Sequence, residues 1–293
     1  MPEFGSGNSR VTRRLLRGVL TVVLAFLLSA TLLRFSPGWN AEERDLDARF
    51  STSTVKALRE ERAANRNLFR FYATFLAHVI TGDLGNSELF GRPVRALIAE
   101  RAATTARSVA TGLFAAWVLA LGVAAATSRP KTAVITATAA TVSGALLSCP
   151  SALLAVLCLV LKLPPASAIT AVVFPRVFPH AHEQLQLQFR AAHVMMARAR
   201  GISGARLFRL HIVPGALPAL AALAGASIPL AFGASIPIES LADSPGLGQL
   251  AWRAALGRDM PLLVSLTLLL TIASVTANLA ADVAGSWVRG WRR

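Results

Sequence analysis

Five stretches of this chain carry no Asp, Glu, Lys or Arg: residues 18–33, 108–128, 132–161, 216–238 and 262–281. A helix advances only about 1.5 Å per residue, so crossing the hydrocarbon core takes about 20 apolar residues. Four of the stretches meet that length. The first is shorter, but Arg17 and Arg34 flank it, and arginine can bury its stem while its head stays in water. One such stretch is compatible with a buried helix of a soluble protein; five are not. Composition agrees, because charged residues make up 15% of the chain against roughly 25% in soluble domains. The abundance of apolar residues excludes a disordered chain.

A sixth segment, 163–175, is weaker. Arg176, His180, His182, Glu183, Gln184, Gln186 and Gln188 follow it. It reads either as a span buried among other helices, where polar side chains find partners, or as a re-entrant segment. Six spans put both chain ends on one side. Arg10, Arg13, Arg14 and Arg17 precede the first span, so the N-terminus is expected in the cytoplasm. Arg129 and Lys131, the arginines of 190–209, and Arg289, Arg292 and Arg293 then all fall inside. Five spans would leave the last three outside. The formal net charge of +15 thus reads as orientation and contact with anionic membrane lipids. Nothing interleaves aromatic residues with the basic ones as stacking on bases requires, so no nucleic-acid partner is expected. A retained first span is favoured over a cleaved signal, because Leu32-Leu33 stands where a small-residue cleavage site belongs.

The expected organisation is a tail at 1–17, a first span at 18–33, an extracytoplasmic segment at 34–104, a five-helix core at 105–288 and a tail at 289–293. Residues 34–104 hold 11 basic and 9 acidic residues, and long loops carry little topological information. Gly82–Ser87 reads as a tight turn, and Pro93 as the start of a helix carrying Val94, Leu97 and Ile98. On the other side, 190–215 reads as a helix–turn–helix. Gly201 stops a first helix over His193–Arg200, and Ser203 caps a second, carrying Leu207, Leu210 and Ile212, that ends at Pro214. A small apolar face with a basic rim suits docking to a soluble partner; an interfacial helix touching only lipid is the alternative.

Cys149 and Cys158 share the third window. Nine residues apart on one helix, they point to opposite faces, which excludes a bridge within it. His180 and His182, two apart on a helix, do not share a face, so no metal site is expected. No catalytic motif and no phosphate-binding loop occurs, and no cofactor is expected. Polar groups available to a pore are Thr132, Thr136, Thr138, Thr141, Ser143 and Ser148 in span three. Span six offers Ser265, Thr267, Thr271, Ser274, Thr276 and Asn278, with Asp282 one turn beyond. Most such hydroxyls satisfy helix backbone or neighbouring helices.

Four separated motifs resemble one family. Thr81-Gly82-Asp83-Leu84-Gly85-Asn86-Ser87, with Arg92-Pro93-Val94 and Glu100-Arg101, resembles a GDLGxS loop. Ala197-Arg198-Ala199-Arg200-Gly201, with His211 and Ala216-Leu217-Pro218, resembles the cytoplasmic "EAA" loop. Glu239-Ser240-Leu241-Ala242-Asp243-Ser244-Pro245-Gly246-Leu247-Gly248 resembles an E…PGLG signature. Arg258-Asp259-Met260-Pro261 resembles RDYP. Together they are similar to the B-type inner-membrane permease subunits of ATP-driven oligopeptide, dipeptide and nickel importers. The resemblance implies an all-α polytopic bundle of six transmembrane helices (the MetI-like permease fold) in the bacterial inner membrane. It implies a non-catalytic subunit forming half of a translocation pore. Its partners would be a second homologous permease, two cytoplasmic ATPase subunits and an extracytoplasmic solute-binding protein.

The resemblance also assigns residues. Ala197, Arg198, Arg200, Gly201, Ser203, Arg206, Leu207, Leu210 and His211 would couple to the ATPases. Gly82, Asp83, Gly85, Ser87, Glu239, Pro245, Gly246, Gly248, Asp259 and Pro261 would form an outer gate or receptor-docking element. The chain departs from the pattern in four places, one of them a short fourth span rich in Pro, His and Gln (Pro175, Pro179, His180, His182, Gln184). It has no G-L-D-x-P stretch, it has Ala242 where an aromatic is usual, and its tail lacks D-P-R. A degenerate homologue serving as an accessory subunit of another membrane complex is the competing reading.

Overall fold

The computed structural model describes residues 82–128 and 132–290, together with Leu16, Gly18, Leu20 to Leu24, Leu27, Leu28 and Thr31. Thr81, most of the 34–104 segment, Arg129, Lys131 and the last three residues lie outside it. The described residues are almost wholly helical, and an isolated bridge between Asn86 and Pro93 is their one β-type pairing. In chain order the helices are α1 (Val94–Thr127), α2 (Ala133–Ser148), α3 (Ser151–Val160), α4 (Pro165–Phe189), α5 (Ala192–Ala199) and α6 (Gly204–Leu207). A π-turn (Phe208–Ile212), α7 (Val213–Leu241), α8 (Leu247–Leu256) and α9 (Met260–Gly290) follow. Three helices are long and apolar enough to cross a membrane: Val94–Thr127, Gly204–Leu241 and Met260–Ala281. The described positions of the first window are helical. A Cβ on Gly18 would stand 3.0 Å from Val275, so this helix lies against α9.

The third window is not one straight span. It holds α2 and α3, bent by 103°. The cause is local. Pro150 has no N–H to continue the helix, and a residue before proline avoids helical angles. Cys149 accordingly turns extended at ψ 127°, and Pro150, at φ −58° and ψ 143°, opens α3. Cys149 and Cys158 therefore flank an elbow rather than sharing a helix, and both are free thiols.

The weak sixth segment is a 25-residue helix, α4, about 37 Å long at 1.5 Å per residue. It forms the most extensive helix pair of the fold with α1. Ala168, Ile169, Val173, Val177, Phe178, Ala181 and Leu185 are buried on its inner face. His182 and Gln186 on that side have partners. His182 Nδ1 lies 2.8 Å from Thr127 Oγ1, and His182 Nε2 lies 2.9 Å from Gln186 Nε2. Pro179 cannot donate to the Pro175 carbonyl four residues back. The hydroxyl of Ser143 on α2 donates to that carbonyl instead, at 2.9 Å.

The α1–α4 contact depends on small residues. Thr105, Val109, Gly112, Ala116, Ala120 and Ala124 are buried at steps of three and four. A Cβ on Gly112 would meet Ile169 Cβ at 2.8 Å and the Ala166 carbonyl at 2.9 Å. The same holds between α7 and α9, where a Cβ on Gly225 would lie 2.6 Å from that of Ala281. Close backbone approach of this kind is how helices associate in lipid, where no hydrophobic effect drives them together. Gly122, in contrast, has nothing within 4 Å of its would-be Cβ.

These contacts make a paired prediction. Gly112→Val should lower the thermal unfolding temperature in detergent and the yield of folded protein, because α4 must move away. Gly122→Ala should be neutral, or stabilising by up to about 1 kcal/mol through helix propensity. Equal effects would contradict the packing.

Candidate functional site

Two buried carboxylates organise the end of the bundle where α1, α8 and α9 begin. The first four N–H groups of any helix lack intrahelical partners, and a carboxylate there gains from both hydrogen bonding and the helix dipole. Helix α8 starts within the Pro245–Gly248 turn and has no cap from its own Gly246. Its caps come from elsewhere. Glu239 on α7 accepts the Gly248 N–H through Oε2 at 2.8 Å. Thr105 on α1 accepts the Leu247 N–H at 2.7 Å and donates its own proton to Glu239 Oε2 at 3.0 Å. Glu239 is fully buried, and its Oε1 has no partner among the described residues.

The glycines of the turn follow from this packing. A Cβ at Gly246 would lie 2.1 Å from Glu239 Oε2 and 2.6 Å from Thr105 Oγ1. At Gly248 it would lie 2.6 Å from the Ser235 carbonyl. Pro245 itself is exposed.

Asp259 plays the same part for α9. It is fully buried and accepts the Leu262 N–H through Oδ1 at 3.2 Å. Its Oδ2 takes the Ser87 hydroxyl and the Leu89 N–H at 3.1 Å. One side chain thus caps a helix and pins the 82–93 loop. Within that loop Asp83 Oδ1 accepts the Gly85 N–H at 3.0 Å, and Gly85 has φ +72°. Arg92 pairs with Glu100, which holds the Arg92 guanidinium above its usual pKa. Arg101 donates to Gln249 Oε1 at 3.0 Å.

The expected outer residues therefore fall into two groups. Ser87, Glu239, Gly246, Gly248 and Asp259 are buried and form the two nodes. Gly82, Asp83, Gly85 and Pro245 are exposed and open to a partner. Pro261, half-buried, stands in the first turn of α9, where its missing N–H costs nothing. Thr105 and the Leu89 amide were missed from the sequence; their partners stand 134 and 170 residues away, and no local pattern announces them.

The opposite end of the bundle carries the expected helix–turn–helix, with corrections. α5 ends at Ala199 and Gly201 takes φ +81°. The Ile202 N–H bonds the Ala197 carbonyl at 3.1 Å and the Gly201 N–H bonds the Arg198 carbonyl at 2.9 Å. These two bonds define a Schellman stop. Ser203 stands at the N-cap of α6, yet its side chain makes no capping hydrogen bond. Nor does the second helix end at Pro214. It passes through the π-turn directly into α7, so Gly204–Leu241 is one helix of 38 residues. Pro214 falls in the first turn of α7, and the adjoining π-turn shifts the ladder just where proline has no N–H to give.

Burial also re-sorts the apolar face. Leu207 is 5% exposed and Ile212 1%; both face inward with Val194 and Ala197. Leu210 at 59%, Met195 at 62% and Met196 at 59% face outward, among exposed Arg198, Arg200, Arg206 and Arg209. The two methionines were not selected from the sequence. Arg198 covers the Phe189 ring at 5.7 Å, Phe189 packs against Phe208, and His193 Nε2 lies 3.2 Å from the His211 carbonyl oxygen. These contacts fix α5 against the π-turn.

Comparison with known proteins identifies this arrangement. Residues 112–292 match the model of the binding-protein-dependent transport system inner membrane component. The chain belongs to that family. It is a multi-pass inner-membrane transport permease, and this family's members are transport subunits rather than enzymes. Among its relatives, a Brucella ovis "Putative peptide permease protein" is 26% identical, aligning over 92% of this chain and 94% of its own. The metal-staphylopine import system permease protein of Staphylococcus aureus is 29% identical over 41% of this chain and 38% of its own. The fold matches the solved MetNI methionine ABC transporter in an inward-facing form. The TM-score is 0.59 at 19% identity, over 66% of this chain and 97% of that one.

The α8 node yields a coupled prediction. Gly246→Ala should destabilise the permease, by roughly 1–3 kcal/mol, because the new methyl meets a packed carboxylate. Its cost should shrink in a Glu239→Ala background, where the carboxylate contact is gone and only the Thr105 hydroxyl must shift. A double-mutant cycle of thermal unfolding in detergent measures this; strict additivity would show that the contact is absent.

Proposed function

We propose that this permease supplies half of the translocation path for peptides or a related small solute, and that it draws its power from ATPase subunits bound at Ala192–Ile212. The exposed Met195, Met196 and Leu210 carry this reading. Three large apolar side chains exposed on the neighbouring α5 and π-turn, among four exposed arginines, suit a protein partner. Methionine suits such a surface because it adapts to a groove. Arg198, Arg200, Arg206 and Arg209 form a basic rim that fits acidic groups on the partner. Gly201 sets the turn that presents the patch, Ala197 and Leu207 pack beneath it, and Ser203 and His211 belong to its backbone frame. With this patch facing the cytoplasm, both chain ends do as well, and the exposed Gly82–Gly85 and Pro245 loops face outward towards a solute-binding protein. The buried Ser87, Glu239 and Asp259 then hold the outer gate shut or open as units. The complete assembly adds a second permease and two ATPases. A peptide substrate class is supported by the relatives whose names describe peptide permeases.

The test separates surface from core. The double variant Met196→Asp/Leu210→Asp should reduce co-purifying ATPase at least about tenfold, as loss of an interface hot spot does, with permease yield and unfolding temperature unchanged. Leu207→Asp should instead impair folding itself. An ATPase recovered in full with the double variant would refute the docking assignment.

A further inference from the structure

We infer that the cavity at the α2–α3 elbow binds the carboxylate of the transported solute through Arg176. The inference rests on the reading of this chain as half of a translocation path. Helix α4 has two faces. The inner one is packed against α1 and α7. On the other, Arg176, Pro179, His180, Glu183 and Leu187 are exposed, at helical steps of three and four that align them in one stripe. Arg176 is the twelfth of 25 residues in α4, close to the middle of the bundle. An ionisable stripe at that depth is not a lipid face; it looks onto water or protein. Among the described residues Arg176 has neither an ion pair nor a hydrogen-bond partner.

A cavity of about 460 Å³ lies against it, walled by Ser148, Cys149, Ser151, Val172 and Gly233, with Arg176 its one charged residue. Small-molecule sites run to roughly 300–1,000 Å³, so a small solute fits. Charge decides which. A lone guanidinium among apolar and hydroxyl groups favours an anion and matches the planar geometry of a carboxylate with two parallel donors. Helix α3 begins at Ser151 on the same wall, and its positive dipole end adds to the same sign. The elbow created by Pro150 therefore does more than redirect the chain. Residues on both of its arms, Ser148 and Ser151, line the cavity together with Arg176.

Cys149, half-buried on the cavity wall, makes the charge measurable. In the full-length permease carrying Cys158→Ala, reconstituted with its partners, Cys149 is labelled with anionic or cationic methanethiosulfonates of equal size and followed by mass spectrometry. The ratio of the two rates, divided by the same ratio for a small free thiol, cancels both changes in thiol reactivity and the intrinsic difference between the reagents. The anionic reagent should react about fivefold faster or more, Arg176→Lys should keep that preference, and Arg176→Gln should bring the ratio near one. Trialanine should slow labelling, its C-terminal amide should not, and neither should act in Arg176→Gln. Four results would overturn the assignment: a ratio that ignores Arg176, an unreactive Cys149, equal action of trialanine and its amide, or labelling that follows the phosphatidylglycerol content of the vesicles. Recovery of the ATPase is scored in the same preparations. Its loss from the unmodified permease would undercut the importer reading, while the labelling ratio still reports on the cavity.

Discussion

Inside a bilayer a broken helix has no water to satisfy its ends, so every break must be completed by the protein. This permease has several breaks, and their completion holds it together. Glu239 and Thr105 supply the acceptors that start α8. Asp259 starts α9 and at the same time ties down the loop before α1. Ser143 supplies the donor that Pro179 cannot. Each of these side chains joins two elements far apart in sequence, so satisfying the backbone and fixing the tertiary arrangement are one event. Removing one such group leaves a buried polar atom stranded, at a cost of about 1–3 kcal/mol.

Between the breaks, packing rests on near-absence of side chains. Gly112 lets α1 meet α4, and Gly225 lets α7 meet α9. These approaches leave α4, the most polar of the long helices, with one face covered by α1 and α7 and one open. The hydroxyls of α2 and α9 largely return to their own helices: Thr138, Thr141, Ser148, Thr267, Thr271 and Ser274 each bond a carbonyl four residues back. Ser143, which bonds α4, and Ser265, buried without a partner among the described residues, are exceptions. The open polar surface of α4 comes instead from Arg176, His180 and Glu183.

What was legible in the sequence follows the same physics. Windows without charge announce apolar helices, and these are α1, α7 and α9. Helix α4 hides from that test because protein, not lipid, surrounds its inner face, and because its outer face is polar. The elbow had a local signal, Pro150 in the middle of a charge-free window, but thirty uncharged residues outweighed one proline. The signature glycines were legible as turn residues; their actual constraint, the approach of Glu239 and of the Ser235 backbone, required the third dimension. The helix–turn–helix stands within 190–215, where the sequence expected it, but which of its apolar residues face outward was not legible. Leu207 and Met196 are equally apolar on paper, and only the packing beneath α5 decides which is buried.

The 38-residue helix from Gly204 to Leu241 spans about 57 Å at 1.5 Å per residue. Leu210 stands near one end and Glu239 near the other. Leu210 and the carboxylate that starts α8 are therefore carried on a single helix, while Met195 and Met196 join it through the Gly201 turn. A displacement applied at one end need not be relayed through loops or side-chain chains to reach the other. The π-turn and the three internal prolines of α7 set where that helix can bend, and so how much of a push arrives as rotation and how much as translation.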